Sequence, residues 1–375
     1  MNARLGLVLL SCVLSVVMGL ALAGRGGGHA VVRPEGNVVI GLSMDTLKEA
    51  RWQVDRDLFV RRAAALGAEV LVQSANSDDV QQIKDVETLI TRKVGVLVII
   101  PHNGAAMAKA VAMAREAGIP VIAYDRLISN CDLDLYVTFD NVRVGELQAQ
   151  YLVDNLPGGK GRIIRIYGSK TDHNAVLFKE GQDNILRPLI ARGDIQVVHE
   201  DWAEDWKLEN AKKIVNAAIS KAGGRFDAQA ILASNDGTAG GAIQSLMEEG
   251  LAGKLLVTGQ DAELVACQRI AQGTQSMTIY KPIRLLAGRA AELAVRLATG
   301  KPVVARAELD NGKARVPSVF LDVVSVTRDN LLASVIQDGF QSYDDVYRGI
   351  PADRRPARPA GTPSASSAGF AHDKN

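Results

Sequence analysis

Short apolar runs that end abruptly in polar residues recur along this chain. The clearest is Val121-Ile122-Ala123-Tyr124, which runs straight into Asp125 and Arg126. Leu97-Val98-Ile99-Ile100 ends in Pro101, His102 and Asn103, residues 230–233 end in Ser234, Asn235 and Asp236, and residues 255–259 end in Gln260 and Asp261. Such runs fit strands buried on both faces, as in parallel sheets. Between them lie segments of helical periodicity. Residues 51–66 carry apolar Trp52, Leu58, Phe59, Ala63 and Leu66 before Gly67 stops the helix, and further helices are expected at 78–92 and 105–117. With strands at 38–44, 69–72, 96–100, 121–124 and 136–141, this is a run of βα units.

The pattern restarts after helix 145–156 and the break at Pro157-Gly158-Gly159. Strands at 162–167, 195–199, 229–233 and 254–258 alternate with helices at 175–191, 207–219, 238–249 and 262–271. A strand at 276–280, an Ala-rich helix at 283–298, a strand at 316–324 and a short helix at 329–336 follow. The expected fold class is α/β: two similar consecutive halves, each a parallel sheet flanked by helices. In open α/β sheets, ligands sit in the crevice outside the carboxyl ends of the strands. Several strands here deliver polar groups to that end, so the chain is built around one polar cleft.

Composition narrows the function. The 375 residues are 47% hydrophobic and 23% charged, with a net charge of +1. No basic stripe or DNA-binding signature is present, which argues against a nucleic-acid partner. Arg4 followed by an apolar run to Ala23, with Ala21-Leu22-Ala23 at its end, fits a secretory signal at 1–23 and a flexible Gly-rich leader at 24–36. A retained membrane anchor or a lipid on Cys12 is the rival reading. Cleavage leaves Cys131 and Cys267, read as unpaired thiols. The five His residues are scattered singly, and no metal or cofactor site is expected. Residues 351–375, rich in Pro, Ala, Ser and Arg, are expected to be a disordered tail.

Arg51-Trp52-Gln53, Ala123-Tyr124-Asp125-Arg126, Ser234-Asn235-Asp236, Gly259-Gln260-Asp261-Ala262 and Tyr280-Lys281-Pro282 occur in an order and spacing that resembles the pentose and hexose branch of the bacterial periplasmic sugar-binding proteins. The likeness covers roughly residues 39–340. It implies a type I periplasmic binding protein fold, two Rossmann-like lobes joined by a three-segment hinge with the sugar between them. The implied boundaries are 37–140 plus 278–304 for the N-terminal lobe and 141–277 plus 305–345 for the C-terminal lobe. The resemblance implies a periplasmic monomer that captures D-xylose or a similar monosaccharide for an ABC permease, without catalysis. A chemoreceptor is a further candidate partner.

The same resemblance implies the contacts. Arg51, Asp125 and Arg126 would be polar ligands from the first lobe, with Trp52 packing on the sugar. Asn174, Trp206, Asn235 and Asp261 would come from the second lobe, and Lys281 from just past a crossing strand. The match around Asn174 departs at Lys170 and His173. Each residue also has a plainer reading. Asp125 and Arg126 suit a structural ion pair, Trp52 suits core packing, Asn235 and Asp261 suit helix caps, and Lys281 suits a solvated position. Gly237-Thr238-Ala239-Gly240-Gly241 lacks the spacing of a phosphate-binding loop and reads as helix–sheet packing. No nucleophile, base and orienter set can be assembled, which argues against an enzyme. A sugar-sensing regulator would need a helix-turn-helix where the signal stands.

Overall fold

The computed structural model describes residues 38–224 and 226–358, so the expected signal, leader and last part of the tail lie outside the described residues. In the first lobe, β1 (Val38–Met44), β2 (Ala68–Ser74), β3 (Val96–Ile100), β4 (Val121–Tyr124) and β5 (Leu135–Phe139) alternate with α1 (Ala50–Ala65), α2 (Asp79–Thr91) and α3 (Ala108–Glu116). Every residue of β3, β4 and β5 is buried, as continuous apolar strands inside a two-faced sheet must be. In the second lobe, α4 (Asn141–Asn155), β6 (Gly161–Tyr167), α5 (His173–Ala191), β7 (Ile195–Trp202), α6 (Leu208–Ala222), β8 (Ala230–Ala233), α7 (Asp236–Glu248), β9 (Leu256–Val257), α8 (Leu264–Gln272) and β10 (Met277–Tyr280) follow. The chain then adds α9 (Ile283–Ala298), β11 (Ala307–Asp310), β12 (Arg315–Leu321) and β13 (Val324–Thr327).

The first sheet has the order β11-β12-β5-β4-β3-β1-β2 and is parallel except for the β11–β12 hairpin. One face packs on α1 and α9, burying Phe59, Ala63, Leu286 and Ala290 against Ile40, Val98 and Val137. The other face packs on α2 and α3. The second sheet, β7-β6-β8-β9, is wholly parallel, and β10 pairs antiparallel with β13. Backbone bonds from Ser276 N to Val257 O (2.9 Å) and from Asp261 N to Ile279 O (2.7 Å) lay β10 alongside the β9 segment.

The chain therefore crosses between lobes three times, at Asp140, at Lys281–Pro282 and at Asp322–Val323. Two implied boundaries need correction. Residues 307–321 belong to the first sheet, where Ser318 pairs with Tyr136, rather than to the C-terminal lobe. Residues 278–280 stay with the second lobe. The strand expected over 316–324 is two strands serving different sheets. Residues 351–358, expected to be disordered, are instead held in place: residues 352–354 form a 3-10 turn, Tyr343 Oη donates to Pro356 O at 2.7 Å, and Arg358 pairs with Asp344 at 3.0 Å.

Candidate functional site

The carboxyl ends of both sheets face one cleft. Its lining contains all nine residues singled out in the sequence: Arg51 and Trp52 on α1, Asp125 and Arg126 after β4, Asn174 on α5, Trp206, Asn235 before α7, Asp261 after β9, and Lys281 in the second crossover. Glu49, Asp172, Phe178 and Glu263 also line it and were not foreseen, as does Gln260, which was read as a polar strand end but not as a ligand. Asp172 is the one a sequence signal could have found, because it caps the helix that carries Asn174 and accepts from Asn174 N at 2.9 Å. Phe178 looks like any core position of an amphipathic helix.

Charge is concentrated and paired here. Arg51 donates to Asp125, to Asp55 (3.3 Å) and across the cleft to Asp261 (3.4 Å). Lys281, only 2% exposed, reaches Asp261 at 3.2 Å. Arg126 bonds Asp45 at 2.7 Å within its lobe and Asp172 of the other lobe at 3.0 Å. Asn174 Nδ2 donates back across the cleft to Asp125 Oδ1 (3.1 Å) and O (3.0 Å). Polar contacts thus bridge the two lobes across the cleft. Burial works against the Asp125 carboxylate, yet Arg51, Lys281 and Arg126 hold its pKa below the usual value. Burial likewise opposes the Arg51 cation, and Asp125, Asp55 and Asp261 more than restore it. Behind them burial pushes Asp55 up to about 6, against the pull of Arg51 and the Tyr124 hydroxyl.

The backbone is strained where the site needs it. Asp125 (φ 61°), Trp206 (φ 57°) and Asp261 (φ 95°) all adopt positive φ. This conformation is uncommon for Asp and an outlier for Trp, and such residues cluster at ligand clamps. At Asp125 it is held by Val137 O, which accepts the Asp125 N–H at 2.8 Å, and by the Thr138 and Tyr136 hydroxyls on its carbonyl. Asp261 is consequently no helix cap: α8 starts at Leu264 after Glu263. Asn235 is a cap, in a capping box with Thr238, and lines the cleft as well.

The two aromatics sit differently. Trp52 is 4% exposed and belongs to the first-lobe core, with the Arg51 and Arg126 guanidinium carbons 4.4 and 5.1 Å from its ring centroid. It belongs to the core and also lines the cleft. Trp206 is half-buried, its Nε1 donating to Asp172 at 3.2 Å and its ring meeting the edge of Phe178 at 6.2 Å. Gly168 lies directly beneath that ring. Trp202 packs on Tyr167 at 4.9 Å. The packing expected of the glycines after Asn235 is helix on helix rather than helix on sheet: a Cβ at Gly241 would lie 2.2 Å from Leu208 O of α6. Cys131 and Cys267 are buried, free thiols. Among the described residues no group of three or more His, Cys, Asp or Glu could hold a metal ion.

Two α/β lobes, three crossovers and a shared polar cleft define a type I two-lobed binding protein. The chain belongs to the periplasmic binding protein family: the family's model, described as "Periplasmic binding protein domain", matches residues 40–302. It is 49% identical over 308 residues to the D-xylose-binding periplasmic protein of Haemophilus influenzae, covering 82% of this chain and 92% of that protein. It is 47% identical over 309 residues to the D-xylose-binding periplasmic protein of Escherichia coli, with the same coverage. Among solved structures it resembles a carbohydrate transporter solute binding protein of Chloroflexus aurantiacus in complex with D-glucose. That likeness has a TM-score of 0.78 and 34% identity, and covers 83% of this chain and 98% of the other.

Proposed function

We propose that this chain captures D-xylose in the interlobe cleft, closes around it, and presents the closed form to an ABC permease of the inner membrane. The observation that carries this reading is the convergence of the nine residues on one cleft in a chain nearly half identical to two D-xylose-binding proteins. Arg51, Arg126 and Lys281 donate to sugar oxygens, Asp125 and Asp261 accept from hydroxyls, Asn174 and Asn235 complete the polar shell, and Trp52 and Trp206 cover apolar C–H faces. Among the described residues of the cleft no group is positioned as a nucleophile with its base, which supports release of the sugar unchanged. The protein acts as a periplasmic monomer, and a chemoreceptor is a second candidate partner for its closed form.

Closure follows from geometry. Contacts from both lobes exist together only in the closed state, so a ligand that makes both shifts the equilibrium toward it. Micromolar binding corresponds to about −8 kcal/mol, within reach of several charge-assisted bonds at about 1.5–3 kcal/mol each. Calorimetry with D-xylose beside D-ribose, L-arabinose and D-glucose tests the reading. The glucose-bound structure named above makes D-glucose the pointed competitor. Tight one-to-one binding of D-xylose is expected, and preference for another of these sugars refutes the assignment of ligand. Asp125→Asn keeps both size and tolerance of positive φ and removes the charge. It is expected to cost about 100-fold in affinity, and unchanged affinity refutes the site.

A further inference from the structure

Gln260 stands out within the cleft. It is 2% exposed, lines the cavity together with Asn235 and Asp261, and its side-chain Oε1 is buried without a hydrogen-bond partner. Buried polar groups are nearly always paired, and a specific exception calls for an explanation. The other buried glutamines of the described residues have theirs. Gln82 donates to Ile100 O at 2.8 Å, Gln148 to Ser234 O at 3.1 Å, Gln275 to Asp236 at 2.7 Å, and Gln182 to Gln148 at 3.2 Å. Of the side chains left with an unpartnered buried atom, Gln260 is the one that lines the cleft.

The other two cleft carboxamides are already engaged. Asn174 takes the Tyr136 hydroxyl and Asn141 Nδ2 on its oxygen, and gives its nitrogen to Asp125. Asn235 uses its oxygen on Thr238 N, at 2.9 Å. The cleft's cations only donate and its carboxylates, when ionised, only accept. A hydroxyl facing such groups is held in one direction. Gln260 carries both a donor and an acceptor on one rigid plane, and its oxygen has no protein partner.

Resting on the monosaccharide reading above, we infer that Gln260 is a further ligand of the sugar, whose carboxamide pairs with one particular hydroxyl and makes its presence a condition of tight binding. A site built to hydrogen-bond a hydroxyl rejects the analogue lacking it, because the protein group is left buried and unpaired. Its backbone holds it in place, since Gln260 O accepts from Asp236 N at 2.9 Å.

The test is a cycle between protein and ligand. D-xylose and its 2-, 3- and 4-deoxy analogues are titrated by calorimetry into wild type, Gln260→Met, which keeps the side chain's length, and Gln260→Leu, with thermal unfolding reporting on each fold. The expected result is that D-xylose weakens about ten-fold or more in both variants, while one deoxy analogue binds variants and wild type alike. Equal weakening of all four sugars, or none, overturns the inference while wild-type binding of D-xylose leaves the proposed function intact. A wild type that binds no monosaccharide overturns that function and this inference with it.

Discussion

Adding one methyl group at Gly168 is expected to weaken sugar binding without substituting any residue proposed to contact the sugar. Gly168 follows β6 with no positive φ, so its backbone accepts alanine. The new Cβ would lie 2.0 Å from Trp206 Cη2, 2.2 Å from Cζ2 and 2.4 Å from Cζ3. Carbon atoms rest about 3.5 Å apart or more, so the ring must retreat by about 1.5 Å. Phe178 stands against the ring at 6.2 Å and Asp172 holds its Nε1 at 3.2 Å, so retreat disturbs both. Overpacking costs about 1–3 kcal/mol. For the site, losing the aromatic contact (about 0.5–1.5 kcal/mol) and part of the anchoring bond to a carboxylate sums to about 2 kcal/mol, or about 30-fold in Kd. Calorimetry on Gly168→Ala with D-xylose reads this directly. Adding Trp206→Ala to that variant should then cost little more, since the ring is already out of place. A folded Gly168→Ala protein that binds within about two-fold of wild type refutes the argument that Trp206 is held against the sugar from below.

Other outcomes follow from the same structure. Burial, and then the Asp261 charge, push the Glu263 carboxyl up to about 7 from its ordinary 4.5, against Arg269. The folded protein therefore holds that proton more tightly than the unfolded chain, so the contribution to stability is complete below 4.5 and is lost as pH rises through about 7. Glu263→Gln should flatten part of the fall in Tm with rising pH, and an unchanged slope refutes this. A Cβ at Gly181 would lie 1.9 Å from Val142 O and 2.8 Å from Glu146 N, backbone atoms of α4 that cannot yield. Gly181→Ala should cost about 3 kcal/mol, read by denaturant unfolding, and a loss under about 0.5 kcal/mol would refute the close approach. Burial raises the thiol pKa of Cys131 to about 11 and of Cys267 well above its ordinary value. Both should resist a thiol reagent until the protein unfolds, and reaction in the native state contradicts their burial.

Much of this molecule was readable before any coordinates. Strands such as β3 and β4 declare themselves because a run of buried apolar residues between turns has few other uses, and their polar ends pointed to the cleft. What failed was assignment at the end of the chain. The alternating burial of Arg315–Leu321 marks a strand but not the sheet that receives it, and no local signal divides it from β13 at Asp322–Val323. The plainer reading of Asp261 as a helix cap fails because its positive φ aims it at Arg51 and Lys281. Gln260 stood at a strand end that pointed to the cleft, but its special position did not show, because an amide's missing partner appears only when its neighbours are in place.

The late return of the chain to its first sheet bears on how the molecule is made. β12 pairs with β5 across 318 − 136 = 182 positions, and α9 covers the face of β1 and β3. A chain emerging N-terminus first, from a ribosome or a translocation channel, offers strands whose neighbours are still unsynthesised. The first lobe cannot be completed until residue 321 is out, and β10 meets β13 only a few residues later. Pairings so distant in sequence form slowly. The two lobes are thus obliged to mature nearly together, and a chain cut short before residue 321 is expected to lose both rather than one.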